Sequence, residues 1–493
     1  MKLDWSKTFL IGLGFLGISV INQVYNQFMP LFLQAGNPAF DAQSEVRILG
    51  FGLSAGLTGF IMTLDNIAAL FILPVIGVWS DRTRTRIGRR YPYILTGAPV
   101  AAVAFVLIPV AARLIDPANN GSVAANGGPF AFFMIAAGLM LLAMALFRTP
   151  VIALMPDLTP SPLRSKANGI INFMGGVGGV IAALGLGSLF DLNPLLPFGA
   201  GSALLVVAIG LLFFTVKEPD PSTYESETEE APRVMGANLL LLVVAILALT
   251  GFVALTSLAA GSTGTLTRVW VAASLAVFAG SFGWFMVNAT RTAPPTHRRS
   301  LLLLMVAIFG WFVGFNAIET FFSSYAVTAL GVSAGAAGRL FSIALILFIL
   351  FSIPAGYIGS GLGRRRTILL GLAIFATLLV IAYFVPYTAV VAVILGLGGM
   401  AWALVNINSL PMVVDITEGE KLLGTYTGLY YLASQSAAIF GPILNGAIID
   451  AAGRNYSVIF LVTPAFFALA ILCMIFVTRG EAHRSGAALA EGD

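Results

Sequence analysis

The sequence is poor in charge and nearly devoid of cysteine and histidine. Of its 493 residues, 10% are charged and 58% are hydrophobic, and the mean hydropathy is +0.94. A water-soluble protein cannot bury so large an apolar fraction in one core. With Cys473 as the one cysteine, the chain cannot form an internal disulfide, a CxxC redox pair or a thiolate metal cluster. The composition predicts an integral membrane protein without a metal or cofactor.

Patterns that carry enzymatic chemistry are also missing from the sequence. It contains no Walker loop, no HExxH pattern and no recognisable catalytic triad. The net charge of +4 does not require nucleic acid as a partner, because charge asymmetry across a bilayer explains a basic balance. We therefore expect neither an enzyme nor a nucleic-acid-binding protein, and a non-transporting receptor or membrane enzyme is the less favoured interpretation.

Long apolar stretches dominate the chain. About 20 apolar residues span a hydrocarbon core that is ~30 Å thick, and such runs are too long for the alternating strands of a membrane barrel. The sequence predicts an all-α membrane protein with 14 transmembrane helices. They lie near 9–33, 51–79, 92–112, 130–147, 168–190, 195–216, 236–258, 269–289, 301–327, 336–359, 367–385, 388–410, 424–450 and 456–478.

The distribution of cationic residues predicts the orientation. With the N-terminus inside, 21 of the 26 lysines and arginines lie in inner segments, as the positive-inside rule requires. One missed helix would invert every later loop. We therefore expect a multi-pass protein of the cell inner (plasma) membrane with both termini in the cytoplasm.

Two polar stretches divide the array of helices. They predict an N-terminal six-helix bundle at 1–216, a cytoplasmic linker at 217–235, an inserted transmembrane hairpin at 236–289, a second linker at 290–300, a C-terminal six-helix bundle at 301–480 and a cytoplasmic tail at 481–493.

Short motifs recur at corresponding places in the two predicted bundles. The segment GVWSDRTRTRIGRR at 77–90 follows the second helix, and GYIGSGLGRRR at 356–366 follows the tenth. Asp157 and Asp415 each follow the fourth helix of their own bundle. Duplicated helical halves with a substrate held between them are typical of secondary transporters.

The motif at 77–90 resembles the loop signature of the major facilitator superfamily. Its spacing is similar to that of glycoside-pentoside-hexuronide cation symporters, plant sucrose transporters and solute carrier 45 proteins, and the segments 155–160 and 424–431 extend the resemblance to both halves. The resemblance implies two six-helix bundles, alternating access and cation-coupled sugar transport.

The chain departs from these families at several positions. Leu141 stands where plant sucrose transporters carry an acidic residue, and Ile152 stands where an arginine is expected after Pro150. Proton coupling therefore cannot be taken from the resemblance at those positions. Fourteen helices also resemble some drug antiporters, whose fifth helix commonly has a Gly-Pro pair, whereas this one reads GGVGG at 175–179.

Two acidic residues, Asp65 and Glu319, lie well inside predicted helices. A carboxyl held away from water binds a proton more readily and releases it when water reaches it from the other side. We predict that both residues bind the coupling ion, which is H⁺ or Na⁺. The alternative for each is a packing contact with a cation or a polar neighbour.

Uncharged polar and aromatic side chains recur at helical spacing. Sugars need hydrogen-bonding groups around each hydroxyl and flat aromatic rings against the sugar ring, whereas a phosphate or carboxylate substrate would call for a cation at a helix centre. The alternative is hydrogen bonding between neighbouring helices. The predicted substrate-binding residues are Asn22, Asn26, Asn66, Asn316, Trp402, Asn406, Asn408, Tyr431 and Gln435.

The charged residues of the inner loops predict a cytoplasmic gate. Asp81 can pair with an arginine or a helix end, in a contact that breaks when the cytoplasmic side opens; the alternative is that the arginines serve only to fix topology. The gate residues are Asp81, Arg82, Arg89, Arg90, Asp157 and Asp415.

Together these patterns predict a secondary active transporter. We expect a symporter that couples a proton to a disaccharide or glycoside and acts as a monomer in the lipid bilayer. The alternative is a proton-linked antiporter of drugs or amphiphiles, for which an inward proton gradient would lower uptake.

Overall fold

The structure is a computed structural model, and every regular element that it describes is a helix. The described residues are 4–44, 47–64, 66, 72, 76, 79–80, 82–159, 164–218, 273, 276–277, 280–284, 286–288, 290–292, 295–416 and 423–480.

The first half of the chain contains helices α1 to α8. Asp4 caps the first of them by accepting a hydrogen bond from the backbone N–H of Lys7 at 3.0 Å. The bounds are α1 Trp5–Gln34, α2 Pro38–Asp41, α3 Ala55–Met62, α4 Tyr91–Ala112, α5 Gly127–Leu158, α6 Arg164–Val180, α7 Gly187–Phe190 and α8 Leu195–Thr215, with a π-helical segment at Ile181–Leu186 between α6 and α7.

The second half contains helices α9 to α14. Their bounds are α9 Pro295–Ala329, α10 Ala334–Leu362, α11 Arg364–Phe384, α12 Thr388–Val414, α13 Leu423–Ala451 and α14 Ile459–Ile475. Short 3₁₀ turns lie at Pro117–Asn119, Thr290–Thr292 and Tyr456–Val458.

Eleven helices within the described residues are long and apolar enough to cross a membrane. They correspond to 11 of the predicted spans. The predicted spans at 51–79, 236–258 and 269–289 lie partly or wholly outside the described residues. The inserted hairpin, the count of 14 and the predicted domain boundaries therefore stay predictions.

The chain forms two compact units, which do not coincide with the two sequence halves. Unit 1 comprises Met1–Pro232, Glu319–Leu345 and Pro442–Ser457, and unit 2 comprises Arg233–Ile318, Ile346–Gly441 and Val458–Asp493. Unit 1 thus includes the C-terminal ends of α9 and α13 and the N-terminal end of α10.

Aromatic rings fill the core of each unit. In unit 1, α1 packs on α6 and α8, and the ring of Phe28 stacks on that of Phe190 at 4.1 Å. In unit 2, α11 packs on α12 and α14, and the ring of Phe375 meets that of Phe467 at 5.4 Å. This packing fixes the helices that carry the polar residues described next.

Candidate functional site

A polar face runs along the middle of α1. Asn22 and Asn26 lie four residues apart and are half-buried, while Ile21 and Val24 beside them are fully buried. This spacing places both amides on one side of the helix. The buried residues hold α1 in the core, so the two amides remain at a partly accessible surface.

Asn26 and Glu319 are brought together within unit 1. The Asn26 Nδ2 donates a hydrogen bond to the Glu319 Oε1 at 3.3 Å, although the residues are 293 positions apart. Glu319 lies in α9 and is half-buried. The structure therefore joins a predicted ion-binding residue to a predicted substrate-binding residue.

Two predicted site residues, Asp65 and Asp81, lie outside the described residues. Asn66, next to the first of them, is helical and half-buried. The roles predicted for Asp65 and Asp81 therefore stay predictions.

An aromatic cluster lies in unit 2 around Trp402 of α12. The Phe315 ring stacks on Trp402 at 4.1 Å with 3° between the planes, and the Phe312 ring meets it edge-on at 5.5 Å. Trp402 is 5% exposed, whereas both phenylalanines are half-buried. Phe315 thus covers one face of the tryptophan, so the phenylalanines are the more accessible part of the aromatic surface.

Sequence reasoning did not identify Phe312 and Phe315. Together with Asn316 and Glu319 they occur at positions i, i+3, i+4 and i+7 of α9, and all four are half-buried. Such spacing defines one helical face. That periodicity, applied to α9, is the signal that would have found them.

The other predicted amides of unit 2 have different environments. The Nδ2 of Asn316 donates to the carbonyl oxygen of Phe312 in its own helix at 2.7 Å. Asn408 is 4% exposed, and its Nδ2 donates to the carbonyl oxygens of Ala355 at 3.1 Å and Leu404 at 2.9 Å. The contact with Ala355 joins α12 to α10, which favours a packing role for Asn408.

The remaining predicted substrate-binding residues lie on α12 and α13. Asn406 is half-buried, and Tyr431 and Gln435 are exposed on neighbouring turns of α13. Tyr431 also contacts the ring of Tyr430 edge-on at 5.4 Å. These residues therefore present polar groups at the surface of unit 2.

A buried charge cluster lies at the arginine-rich end of unit 1. Asp157, in the last turn of α5, accepts hydrogen bonds from Arg89 Nη2 at 2.6 Å and Arg90 Nε at 2.8 Å. The side chains of Asp157, Arg89 and Arg90 are only 10%, 13% and 5% exposed. Buried charges require such pairing, so the cluster holds α5 against the start of α4.

Glu218 belongs to the same cluster and was not predicted. Its carboxylate accepts hydrogen bonds of 2.9 Å from each of the backbone N–H groups of Arg89, Arg90 and Tyr91, at the start of α4. Burial raises the pKa of Glu218, and these hydrogen bonds and Arg90 oppose the rise. Its place at the start of a mixed-charge stretch made it look like part of a solvated linker.

The second half of the sequence carries an ion pair that is equivalent to the Asp157 cluster but more exposed. Asp415 at the end of α12 pairs with Arg364, the first residue of α11. Their side chains are 35% and 20% exposed. Arg82 is exposed. The described ion pairs of these predicted gate residues thus lie within one unit each.

Comparison with known proteins identifies the family. The sequence matches the profile of the Major Facilitator Superfamily over residues 8–315 and 301–492. The chain belongs to the major facilitator superfamily. Members of this superfamily are multi-pass membrane transporters and not enzymes, in agreement with the sequence analysis.

The curated relatives of this superfamily member match only part of it. An uncharacterized symporter of Synechocystis sp. is 29% identical over 209 residues, which are 40% of this chain and 37% of that protein. A sucrose transport protein of Arabidopsis thaliana is 28% identical over 136 residues, or 26% of this chain and 23% of that protein. The chain thus spans less than two fifths of the length of these relatives.

A solved structure supports the superfamily fold over nearly the whole chain. A peptide transporter of the POT family is 15% identical, with a TM-score of 0.62, and the match covers 96% of this chain and 95% of that one. At this identity the similarity establishes the fold alone.

Proposed function

We propose that the protein is a cation-coupled sugar symporter, with a proton as the coupling ion and a disaccharide or glycoside as the substrate. The hydrogen bond between Asn26 and Glu319 is the observation that carries the proposal. It brings an ionisable group and an uncharged polar group of the kind that binds sugar into direct contact.

The contact gives a physical route for coupling. An ionised Glu319 carboxylate accepts the N–H of Asn26 strongly, because hydrogen bonds to a charged acceptor are stronger than neutral ones. A protonated Glu319 becomes a donor as well and can bind the Asn26 carbonyl oxygen or a substrate hydroxyl. Proton binding therefore changes which hydrogen bonds the site offers.

Residues near Asn26 and Glu319 along their own helices, α1 and α9, suit an uncharged polyol. The half-buried amides Asn22, Asn26 and Asn316 offer both donors and acceptors. Phe312 and Phe315 present aromatic rings on the same face of α9. The partial similarity to proteins named sucrose transport proteins agrees with this chemistry.

Uptake by the full chain in proteoliposomes tests the proposal. We expect labelled sucrose or a related disaccharide to accumulate under an inward proton gradient and not under a sodium gradient. Glu319→Gln should abolish accumulation and retain sugar exchange at equal concentrations. Asp116→Asn is the matched control, because Asp116 is an exposed acid that caps its own loop.

Two results would contradict the proposal. Unchanged gradient-driven accumulation in Glu319→Gln would remove Glu319 from coupling. Uptake that falls as the inward proton gradient rises would instead favour the proton-linked antiporter. The same comparison with Asp65→Asn tests the role predicted for Asp65.

A further inference from the structure

Two short motifs recur at one end of unit 1. The pattern Ser-Ala-Gly-x-x-Gly occurs at 54–59, where α3 begins, and again at 333–338, where α10 begins. The pattern Gly-x-x-x-Asp occurs at 187–191, at the end of α7, and again at 446–450, at the end of α13. Each half of the sequence therefore carries both patterns, and Gly-x-x-x-Asp occurs once more at 77–81, within the loop motif.

The aspartate of the second half binds the helix start of the first half. Asp450 accepts hydrogen bonds from the backbone N–H of Ala55 at 3.0 Å and of Gly56 at 2.7 Å. Ser54 accepts the next one, from Leu57 N–H at 3.2 Å. The first three N–H groups of α3, which have no partner within the helix, are thus satisfied, two of them by a residue some 395 positions away.

The aspartate of the first half binds the helix start of the second half through one backbone N–H group and one hydroxyl. Asp191 accepts hydrogen bonds from the Gly335 backbone N–H at 2.9 Å and from the Ser333 hydroxyl at 2.6 Å. Ser333 in turn accepts the N–H of Ala336 at 3.1 Å. In both places a carboxylate meets the positive end of a helix dipole, which stabilises it further.

Glycine permits the close approach at both contacts. A Cβ atom on Gly335 would lie 2.3 Å from Asp191 Oδ2, and one on Gly446 would lie 2.4 Å from the carbonyl oxygen of Ala55. Any larger residue would separate the helices. The recurring glycines and aspartates therefore serve one arrangement, used twice.

We propose that Asp191 and Asp450, with the helix starts that they bind, form a paired latch that joins the two halves of the sequence at this end of unit 1. A substrate passage can open at this end only when both carboxylates release their N–H partners. The latch is independent of the substrate and of the coupling ion, so it stands or falls separately from the proposed function.

A buried amide opposes the latch. Gln27 is 3% exposed, and within the described part of the chain neither its Nε2 nor its Oε1 has a hydrogen-bond partner. It faces Gly338, where a Cβ atom would lie 1.8 Å from the Nε2. An unpaired buried amide destabilises the arrangement that buries it, and water would solvate the amide on opening. Gln27 therefore lowers the stability of the latched arrangement relative to the open one.

Cysteine accessibility tests the latch. Ser324 is fully buried at this end of α9 and donates a hydrogen bond to Gln34 Oε1 at 2.7 Å. In a Cys473→Ser background, the reporter Ser324→Cys is reacted with a membrane-impermeant maleimide in the full chain reconstituted in proteoliposomes. We expect slow labelling of the latched protein.

The variants should move the labelling rate in both directions. Asp191→Asn and Asp450→Asn should each raise it about tenfold, since each removes hydrogen bonds to a charged acceptor, and the double variant should raise it further. Gly338→Ala should raise it by steric separation. Gln27→Leu should lower it, because the leucine carries no unpaired amide.

Two control variants and one refuting outcome complete the test of the latch. Asp116→Asn, at an acid that caps a turn within its own loop, and Gly128→Ala, where a Cβ atom meets nothing within 4 Å, should leave the rate unchanged. Equal labelling in the parent, both single aspartate variants and Gly338→Ala would overturn the proposal. Gly338→Ala decides the question if an aspartate variant does not fold.

Discussion

The buried cluster around Asp157 predicts an unequal response of the two sequence halves to the same substitution. Asp157→Asn removes the negative charge shared by Arg89 and Arg90, whose side chains are 13% and 5% exposed. Asp415→Asn removes the equivalent charge from Arg364, but this pair is 20% and 35% exposed. Water can replace the lost partner far better in the second case.

The difference in burial sets the expected magnitudes. Breaking a buried ion pair by removing one partner destabilises a protein by about 3 kcal/mol or more, whereas an exposed pair contributes about 1 kcal/mol or less. For units of this size, 1 kcal/mol corresponds to roughly 2–4 °C in melting temperature. Asp157→Asn should therefore lower the melting temperature by roughly 6–12 °C, and Asp415→Asn by at most about 4 °C.

Thermal melting of the purified protein in detergent, followed by tryptophan fluorescence or by the monodisperse fraction, measures both shifts. Arg82→Gln is the control for loss of an exposed charge in the same loop. Equal shifts for Asp157→Asn and Asp415→Asn would refute the reasoning, because burial would then not affect how much an ion pair stabilises the protein.

Three further predictions concern single residues. Burial raises the pKa of Glu218, so the folded protein binds a proton there more tightly than the unfolded chain does. Protonation of Glu218 therefore stabilises the fold increasingly as the pH falls from neutral toward the ordinary glutamate pKa, and this stabilisation is lost as the pH rises. The melting temperature of the parent minus that of Glu218→Gln should therefore become larger as the pH is lowered from 7.5 to 5.5. A difference that stays constant or becomes smaller would contradict a raised pKa at Glu218. Asn26→Leu should lower proton-driven uptake about tenfold through loss of its hydrogen bond to Glu319. Asn408→Leu should instead lower mainly the melting temperature, since its amide joins two helices. Loss of uptake in Asn408→Leu with loss of stability in Asn26→Leu would contradict both roles. Phe315→Leu should weaken sugar binding about fivefold, as expected for loss of an aromatic contact worth ~1 kcal/mol, and unchanged affinity in a binding titration would exclude this ring from the site.

Apolar runs predicted the spanning helices well and their ends less well. The fourth predicted span stops at 147, because Arg148 and Pro150 look like the end of a helix, yet α5 continues to Leu158. Proline is tolerated in membrane helices where neighbouring groups satisfy the freed backbone. Asp157 consequently lies in the last helical turn rather than in a loop.

Contacts between distant parts of the chain were harder to predict. Helical spacing placed Asn26 and Glu319 on polar faces of their own helices, but no periodicity relates two helices that are 293 residues apart. Glu218 was missed because its charge is used by backbone N–H groups, which leave no mark in the sequence. The contacts of Asp191 and Asp450 did leave one, in the recurring glycine and aspartate patterns.

The π-helical segment Ile181–Leu186 has a consequence for how this region tolerates insertions and deletions. Each residue of an α-helix turns the chain by about 100°, and a π-helical turn accommodates one residue more than an α-helical turn does. Removing a single residue from this segment and restoring regular winding would therefore leave the Asp191 carboxylate facing Gly335, whereas removing one residue from the α-helical turns before it would rotate the carboxylate by about a quarter of a revolution. This short stretch can therefore lose one residue without changing the angular position of the residues that follow it, which the neighbouring α-helical turns cannot.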